Sequence, residues 1–385
     1  MISTWITVMK EFNLDNYIEK VKNNFNVNKA LSDTCYGNSL VIGDMHFGTH
    51  QNSTVWLNYQ VDFLEKQVLP LISISDELNI DAVVFLGDLF DSRQSINIVV
   101  AKEALNIMTK IINTAQKKSV RVYMIGGNHD YYSSFTEKND LNIYNLLFNN
   151  DYKEKHNNLS VVTAHPGYIG KHGGHVMLLP WFETEHEERL INNLERAGAE
   201  SNCFGVYCHT DTLCRNSNEN KTVFKDFTKP VWSGHIHSRH LNHTNNVFQL
   251  GAACSFNFND ANQDRFIYII NEKNNAFIEI KNEAAPGFHT IYYKSGDTDL
   301  TTLDTEEYFK FYVKPDELKE LRGGLVKAGV KNVSIQLMFD NISLNNNYNT
   351  DINVNIDDFI IQNIPENLKA VYQETIQKTK TNHLT

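Results

Sequence analysis

The sequence lacks long apolar runs and cysteine pairs at metal-binding spacing. No stretch of about 18 or more consecutive apolar residues occurs, so the sequence predicts no membrane-spanning helix. Five cysteines among 385 residues form no disulfide framework, and Cys203, Cys208 and Cys214 lack the CxxC spacing of a zinc site. These absences predict a cytoplasmic protein from a reducing, intracellular compartment.

Positive charge is also scarce in this chain. Lys and Arg number 35 against 46 for Asp and Glu, which gives a formal net charge of −11. This balance argues against a stand-alone, strongly basic nucleic-acid-binding protein, because phosphate contacts require Lys and Arg. It does not exclude an enzyme that acts on nucleic acid, since bound metal ions and a partner can both supply positive charge. The abundance of Asn, Ile and Lys is typical of an AT-rich genome, such as that of a virus.

Alternating strand and helix patterns predict a layered α/β domain over residues 39–285. Apolar runs of strand type, such as Asp81–Leu86, alternate with helical spacing, such as Thr54–Leu71. A long helix is predicted over Ser95–Lys118, with Ser95 as its N-cap. The other predicted elements are a helix at Thr184–Ala197 and strands at Leu40–Ile42, Val120–Ile125, Leu159–Thr163, His175–Leu179, Phe204–Cys208, Val231–Gly234, Val247–Gly251, Phe266–Asn271 and Ala276–Ile280.

Three further segments flank this domain. Residues 1–38 include a predicted helix at Thr4–Phe25 but no motif, and a regulatory segment, a partner-binding segment and a disordered extension remain open for them. Residues 286–342 predict a small β-α-β module. Its elements are a strand at Tyr308–Val313, a helix at Asp316–Ala328 and a strand at Val333–Phe339. Residues 343–385 predict an Asn-rich linker followed by amphipathic helices.

Five short motifs that can supply metal ligands occur in order along the main domain. They are Gly43-Asp44-Met45-His46, Gly87-Asp88-Leu89-Phe90-Asp91, Gly127-Asn128-His129-Asp130, Cys208-His209 and Gly234-His235-Ile236-His237. Four of the five directly follow an apolar run of strand type, and strand ends in an α/β sheet open into one crevice. Since side chains two residues apart on an extended chain point to the same side, each Asp-x-His or His-x-His pair can bind one ion.

Seven side chains of these motifs form a candidate ligand set. They are Asp44, His46, Asp88, Asn128, His209, His235 and His237. Asp88 can bridge two ions with its two carboxylate oxygens, and Asn128 supplies a neutral carbonyl oxygen. Such mixed nitrogen and oxygen coordination suits manganese, iron or zinc better than calcium or magnesium. Two ions about 3.5–4 Å apart can hold a phosphodiester and activate a water for in-line attack.

A separate, non-ligand role is predicted for His129. Because its neighbour Asn128 supplies the ligand, His129 can face the substrate and protonate the leaving oxygen as a general acid. Asp130 is expected to hydrogen-bond His129 and fix its tautomer. Each motif alone is more often a turn with a capping Asp, or a surface or core histidine pair. The presence of all five in order at strand ends favours the metal site.

The five motifs together resemble the calcineurin-like metallophosphoesterase superfamily, over roughly residues 39–281. The resemblance implies a four-layer α-β-β-α sandwich with a two-metal site at the strand ends. One implied ion takes Asp44, His46, Asp88 and His237. The other implied ion takes Asp88, Asn128, His209 and His235.

Within the superfamily, three details are similar to SbcD-type DNA-repair nuclease subunits, especially their phage members. These details are Asp91-Ser92-Arg93, Leu179-Pro180-Trp181 and Val231–His237, although Asp91 stands where some of these nucleases carry His. The resemblance implies two Mn²⁺ ions, exonuclease action on duplex DNA ends and endonuclease action on single strands. It also implies a DNA-facing cap at 286–342, terminal helices that dock on an SbcC-type coiled-coil ATPase, and a homodimer.

Two other classes of function remain open at this point. A small-molecule enzyme, such as a cyclic-nucleotide phosphodiesterase or nucleotide hydrolase, would have the same metal site, because fold and site do not fix the substrate. The predicted cap and terminal helices argue against it, since a small substrate requires neither. A non-catalytic scaffold would have lost part of the ligand set, whereas here every expected ligand is present. A Ser/Thr protein phosphatase is disfavoured because Ser92 and Asp130 occupy positions where that branch carries Arg and Glu.

Overall fold

The computed structural model describes residues 12–32, 35–132, 141–181, 187–211, 227–244, 246–284, 287–305 and 307–338. Its helices are α1 (Leu14–Val27), the single turn α2 (Thr49–Asn52), α3 (Thr54–Phe63), α4 (Leu69–Ser73), α5 (Ile98–Lys117), α6 (Ile143–Leu147), α7 (Asn150–Lys155), α8 (Glu187–Ala199) and α9 (Leu318–Ala328). Its strands are β1 (Asn38–Ile42), β2 (Ile80–Phe85), β3 (Arg121–Ile125), β4 (Leu159–Val162), β5 (Gly167–Lys171), β6 (Gly174–Leu179), β7 (Cys203–His209), β8 (Val231–Gly234), β9 (His240–Asn242), β10 (Val247–Gln249), β11 (Phe266–Asn271), β12 (Ala276–Lys281), β13 (Phe288–Tyr292), β14 (Tyr308–Val313) and β15 (Val333–Leu337).

The strands form two six-stranded sheets and one three-stranded sheet. The first sheet has the order β12-β11-β1-β2-β3-β4, and the second has the order β5-β6-β7-β8-β10-β9. Strands β1 to β4 are mutually parallel, as are β6, β7, β8 and β10. Each sheet therefore presents the carboxyl ends of several parallel strands at one edge, which is where binding sites form in α/β proteins.

Apolar side chains from both faces of the sheets build the core. The layer between the two sheets contains Val41, Val84, Tyr207, Trp232 and Phe248, all buried. Helices α1, α3 and α5 cover the outer face of the first sheet, and α8 packs on the second sheet. The fold is therefore the predicted four-layer α-β-β-α sandwich. No helix among the described residues is both long and apolar enough to cross a membrane.

The N-terminal helix α1 packs on the main domain. Tyr17, Val21 and Phe25 are spaced four residues apart, so they share one face of the helix, and all three are buried in the core of the first sheet. The Asn13 side chain accepts a hydrogen bond from the Asn16 backbone N–H and caps the helix. A disordered extension is therefore the wrong interpretation for this part of residues 1–38.

Helix α5 begins later than the sequence pattern predicts. Its N-cap is Asn97, whose side chain accepts a hydrogen bond from the Val99 N–H at 2.8 Å. Ser95 lies in the preceding loop, where its own N–H donates to the Ser92 hydroxyl at 3.3 Å. The prediction of Ser95 as the cap is wrong because Asn97 is an equally good capping residue and lies next to the first helical turn.

The module after residue 286 is a parallel three-stranded sheet of order β13-β14-β15. It contains the predicted strand, helix and strand, and one further strand, β13, which the sequence pattern did not predict. Phe309, Phe311, Leu321 and Leu325 are buried in a core of its own. The helices predicted within residues 343–385 lie outside the described residues.

A buried ionic cluster joins the two large sheets at the end away from the metal-binding motifs. Lys171 on β5 approaches the Glu272 carboxylate at 3.4 Å and the Ser39 hydroxyl at 3.3 Å, and it also pairs with Asp81. The Tyr207 hydroxyl donates to Glu272 at 2.9 Å. The side chains of Lys171 and Glu272 are only 2% and 1% exposed, so neither charge is stabilised by water.

We expect the substitution Lys171→Met to lower the free energy of unfolding by about 3–5 kcal/mol, because it leaves the Glu272 carboxylate buried without its cation. Urea denaturation followed by circular dichroism measures this change. The matched control is Lys118→Met, which removes an exposed ion pair with Asp76 and should change stability by less than about 1 kcal/mol. Equal effects of the two substitutions would contradict the assignment of Lys171 as a structural cation.

Candidate metal centre

The structure brings the seven predicted ligand side chains together at the carboxyl ends of strands from both sheets. Asp44 and His46 follow β1, Asp88 follows β2, Asn128 follows β3, His209 ends β7, and His235 and His237 follow β8. Four of the seven (Asp44, His46, Asp88 and His209) are at most 2% exposed. The apolar strands thus deliver polar side chains to one buried point between the sheets.

The backbone is strained at three of these positions. His46, Asp88 and His235 have positive φ angles of 47°, 48° and 82°, a region that non-glycine residues rarely adopt. Such conformations cost about 1–3 kcal/mol each and persist where the surrounding structure fixes them. Here the strain turns the side chains sharply inward after each strand, as a shared binding site requires.

The glycines of the motifs are required by close packing around the ligands. A Cβ built on Gly127 would overlap the carboxylate and backbone nitrogen of Asp88, and one built on Gly87 would overlap the His209 ring. Gly87 also has a φ of 107°, which favours glycine independently of space. Gly87 and Gly127 therefore allow candidate ligands from other loops, His209 and Asp88, to approach closely.

We expect Gly127→Ala to weaken metal binding, because Asp88 must move to accommodate the added methyl group. Overpacking of this kind costs about 1–3 kcal/mol. Isothermal titration with Mn²⁺ measures the affinity. The control is Gly170→Ala in β5, where an added Cβ has no atom within 4 Å. Unchanged metal affinity in Gly127→Ala would show that the close approach of Gly127 to Asp88 is not needed.

One group of ligand atoms is formed by Asp44, His46 and His237, whose candidate donor atoms all lie within 4.8 Å of one another. The Nε2 atoms of His46 and His237 are 3.1 Å apart. The other ring nitrogen of His46, Nδ1, faces the Asp91 carboxylate at 3.4 Å. An imidazole that directs Nδ1 to a carboxylate keeps its Nε2 lone pair for a metal ion.

A second group is formed by Asp88, His209 and His235, again with donor atoms within 4.8 Å. His209 Nδ1 contacts the Leu86 carbonyl oxygen at 2.7 Å, which leaves the Nε2 lone pair directed inward. The Asn128 side-chain oxygen lies 3.0 Å from His209 Nε2 and 2.8 Å from His235 Nδ1. Asn128 thus belongs to this group.

Asp88 lies between the two groups. Its Oδ2 atom is 3.5 Å from His46 Nε2 and 3.3 Å from His209 Nε2. Its Oδ1 atom accepts a hydrogen bond from the His129 backbone N–H at 2.7 Å, which fixes the carboxylate plane. One carboxylate therefore reaches both sets of donors.

Burial and mutual charge determine the protonation of these groups. Burial, reinforced by the positive charge of His209, lowers the pKa of His235 to about 4, and burial with His46 does the same for His237. Both rings are thus neutral near pH 7 and keep a lone pair. Burial also raises the pKa of Asp44 to about 6. For His209, burial is outweighed by the Asp88 carboxylate, and its pKa rises to about 9, so a metal ion must displace a proton there.

The donor set fits divalent metal ions. His46 Nε2 lies 3.1 Å from His237 Nε2, and the Asn128 side-chain oxygen lies 3.0 Å from His209 Nε2 and 2.8 Å from His235 Nδ1. In their deprotonated forms these atoms direct lone pairs at one another, and a cation between them would be held by all of them. The mixture of imidazole nitrogen with carboxylate and amide oxygen is typical of sites for manganese, iron or zinc.

His129 is placed beside this centre, and its ring lies 4.9 Å from that of His46. Its Nδ1 atom contacts the backbone carbonyl oxygen of Asp91 at 2.5 Å, so this ring nitrogen carries the proton and Nε2 remains available. Because a carbonyl accepts there, the tautomer is fixed by the backbone of Asp91.

The expected contact between Asp130 and the His129 ring is wrong. The buried Asp130 carboxylate accepts hydrogen bonds from the Gly127 N–H at 2.8 Å, the Leu89 N–H at 3.0 Å and the Tyr144 hydroxyl at 2.9 Å. It therefore ties the loop after β2 to the loop after β3. The physical reason is that the turn after Asn128 directs Asp130 into the core, away from the His129 ring.

Sequence reasoning missed three residues that line the centre. Asp91 faces His46, Arg93 lies 3.0 Å from the Asn128 amide, and the Phe256 ring packs at 5.0 and 5.1 Å against the rings of His46 and His237. The sequence could have indicated Asp91 as a site residue, because it is the second Asp of the Gly-Asp-x-x-Asp motif. No sequence pattern could have indicated Phe256, because it lies in a loop outside the motifs.

Comparisons with known proteins identify the family of this chain. The model of the calcineurin-like phosphoesterase family matches residues 38–239, and the chain belongs to that family, whose members are metal-dependent hydrolases. Among solved structures, the chain is similar to a dimetal phosphatase from Danio rerio, with 11% identity, a TM-score of 0.37, and coverage of 64% of this chain and 99% of that one. It is also similar to phosphopantetheinyl hydrolase from Mycobacterium tuberculosis, with 10% identity, a TM-score of 0.32, and coverage of 57% and 90%. A search of curated proteins gives no match.

Proposed function

We propose that this chain is a two-metal phosphodiesterase that uses Mn²⁺ to hydrolyse DNA. The observation that carries the two-metal part is the position of Asp88, whose Oδ2 lies within 3.5 Å of a ring nitrogen in each ligand group. The implied first ion would be held by Asp44, His46, Asp88 and His237. The implied second ion would be held by Asp88, Asn128, His209 and His235.

The residues of the centre have separate proposed roles in the reaction. When bound, the two ions supply Lewis-acid charge that neutralises the phosphate and activates a water. His129 donates its Nδ1 proton to the Asp91 carbonyl oxygen and directs Nε2 away from that contact. In the imidazolium form of His129, Nε2 carries a second proton, which would pass to the leaving oxygen and leave the ring neutral. Phe256 packs edge-on against the rings of His46 and His237 and provides an apolar wall beside them. Asp130 accepts hydrogen bonds from both loops that carry Asp88 and Asn128 and so fixes the position of one loop relative to the other.

Two features support DNA as the substrate. The first is the resemblance of the Asp91–Arg93 and Val231–His237 segments to SbcD-type nucleases. The second is the three-stranded module, which is attached beside the metal centre. Trp56 on α3 stacks on Phe288 of the module at 5.4 Å and on His50 of the metal-binding loop region at 4.5 Å. A module fixed in this way could extend the surface available to a long substrate.

The test is hydrolysis of linear duplex DNA by the full chain with Mn²⁺, run beside single-stranded DNA, a 2′,3′-cyclic nucleotide and bis(p-nitrophenyl) phosphate. We expect shortening of the duplex from its ends and internal cleavage of the single strand. Turnover of the small substrates alone would favour the alternative, a stand-alone enzyme for small phosphodiesters or nucleotides. Absence of turnover with every substrate would contradict a phosphodiesterase.

The proposed partners are an SbcC-type coiled-coil ATPase and a second copy of this chain. The resemblance of residues 343–385 to a docking segment supports the ATPase, and a deletion of those residues should abolish co-purification with the coiled-coil base. Support for a homodimer comes from the resemblance and from two adjacent apolar residues at the start of α5, Ile98 and Val99, which are 85% and 52% exposed. Analytical ultracentrifugation of the chain and of Ile98→Asp tests the dimer.

A further inference from the structure

Arg93 lies at the rim of the metal centre and is held by an aromatic ring. Its guanidinium carbon is 6.0 Å from the centre of the Trp181 ring, within the range of a cation–π contact. The Trp181 backbone N–H donates to the Gly126 carbonyl at 2.8 Å, which fixes Trp181 at the end of β3. Arg93 itself is only half-buried, so its donors can meet a molecule from solvent.

The amide of Asn128 has two orientations that differ in their effect on Arg93. With its nitrogen inward, the amide donates to His209 and His235, and its oxygen accepts from Arg93 Nη2 at 3.0 Å. With its oxygen inward, as a metal ligand must be, the amide nitrogen faces Arg93 instead. Two donors cannot satisfy each other, so the metal-ligating orientation leaves Arg93 without this acceptor.

When the Asn128 oxygen faces the metal centre, Arg93 needs another hydrogen-bond acceptor, and an anion can supply it. A guanidinium presents several donors in a planar fork that matches the oxygens of a phosphate. Arg265, near His237, cannot take this role, because its guanidinium is buried and paired with Asp260 at 3.0 Å. Arg93, by contrast, is within hydrogen-bonding distance of a proposed ligand residue.

We propose that Arg93 binds an oxygen of the scissile phosphate and that Trp181 holds it in place for this contact. The proposal rests on the phosphodiesterase function proposed above. It gives Arg93 a role in substrate binding that is separate from the metal ligands. It also explains why the cation follows Asp91 on the same loop, since that loop already positions His129 through the Asp91 carbonyl.

The test uses the full chain loaded with Mn²⁺ and two probes. Calorimetry measures the affinity for inorganic phosphate, and hydrolysis of bis(p-nitrophenyl) phosphate gives the KM for a small diester. We expect Arg93→Ala to weaken phosphate binding by about 10- to 100-fold, the usual effect of losing a charged hydrogen bond. KM for the diester should rise in the same variant while metal content stays at that of the wild type. Arg93→Lys should restore part of the affinity, because it keeps the charge but not the fork.

The matched control is Arg196→Ala. Arg196 also stacks on an aromatic ring, with its guanidinium carbon 5.7 Å from the centre of the Tyr168 ring, but it lies on α8 away from the centre. It should leave both probes unaffected. The proposal is overturned if Arg93→Ala binds phosphate within about twofold of the wild type, or if it loses metal ions, which would mean that Arg93 acts through Asn128. Failure of the wild type to hydrolyse any diester would instead refute the phosphodiesterase function, because phosphate binding is measured independently.

Discussion

Asp88→Asn is expected to lose both metal ions and to reduce phosphodiester hydrolysis to the background rate. The side chain keeps its shape but loses the negative charge that faces both ligand groups. Its Oδ2 atom lies 3.5 Å from His46 Nε2 and 3.3 Å from His209 Nε2. A neutral amide in that position cannot balance two divalent ions in a buried site.

The sharpest comparison for this variant is Asp44→Asn, because Asp44 belongs to only one of the two ligand groups. Metal analysis after gel filtration should find two ions per chain in the wild type, about one in Asp44→Asn and none in Asp88→Asn. The thermal stabilisation that Mn²⁺ gives should decrease in the same order, since an ion that binds only the folded state raises its stability. Equal metal content in the two variants would contradict a bridging role for Asp88.

The positions of the candidate ligands at the strand ends could be predicted from the sequence because each one lies next to a strong local pattern. An apolar strand such as Asp81–Leu86 must be buried, and the first polar residue after it must lie at the edge of the sheet. This logic put Asp44, Asp88 and His235 directly after strands without any knowledge of the strand order, and the structure has them after β1, β2 and β8. The fold class followed from the same alternation of strands and helices.

Features that depend on the path of a loop could not be predicted in this way. The hydrogen bonds of Asp130 follow from a turn whose direction is set by contacts with Tyr144 and with the loop after β2. Strand β13 was not predicted because Phe288–Tyr292 is a short run that mixes apolar and polar residues. These residues form a strand by pairing with β14. The packing of α1 likewise depends on the surface of the first sheet, so the sequence predicted a helix at Thr4–Phe25 but not the burial of Tyr17, Val21 and Phe25.

The proposed general acid gives the second large effect. His129 forms a candidate group only with His46 and Asp91 and is not among the proposed ligands of either ion. We therefore expect His129→Asn to keep both metal ions and to lower the rate of DNA hydrolysis by about 10²- to 10⁴-fold. The Asn side chain can still occupy the space beside His46, but it cannot donate a proton to the leaving oxygen. Metal analysis and single-turnover hydrolysis of a short duplex measure the two quantities.

The leaving group distinguishes a general acid from a residue that only positions the substrate. The alkoxide that leaves from DNA is strongly basic and needs a proton, whereas p-nitrophenolate is stable without one. The effect of His129→Asn should therefore be much smaller with bis(p-nitrophenyl) phosphate than with DNA, while the effect of Arg93→Ala should be similar for both substrates. An equal loss of rate with both substrates in His129→Asn would assign His129 to phosphate binding, and a loss of metal ions would place it among the ligands. Its position supports the acid, because the Asp91 carbonyl fixes one ring nitrogen and leaves the other for the substrate.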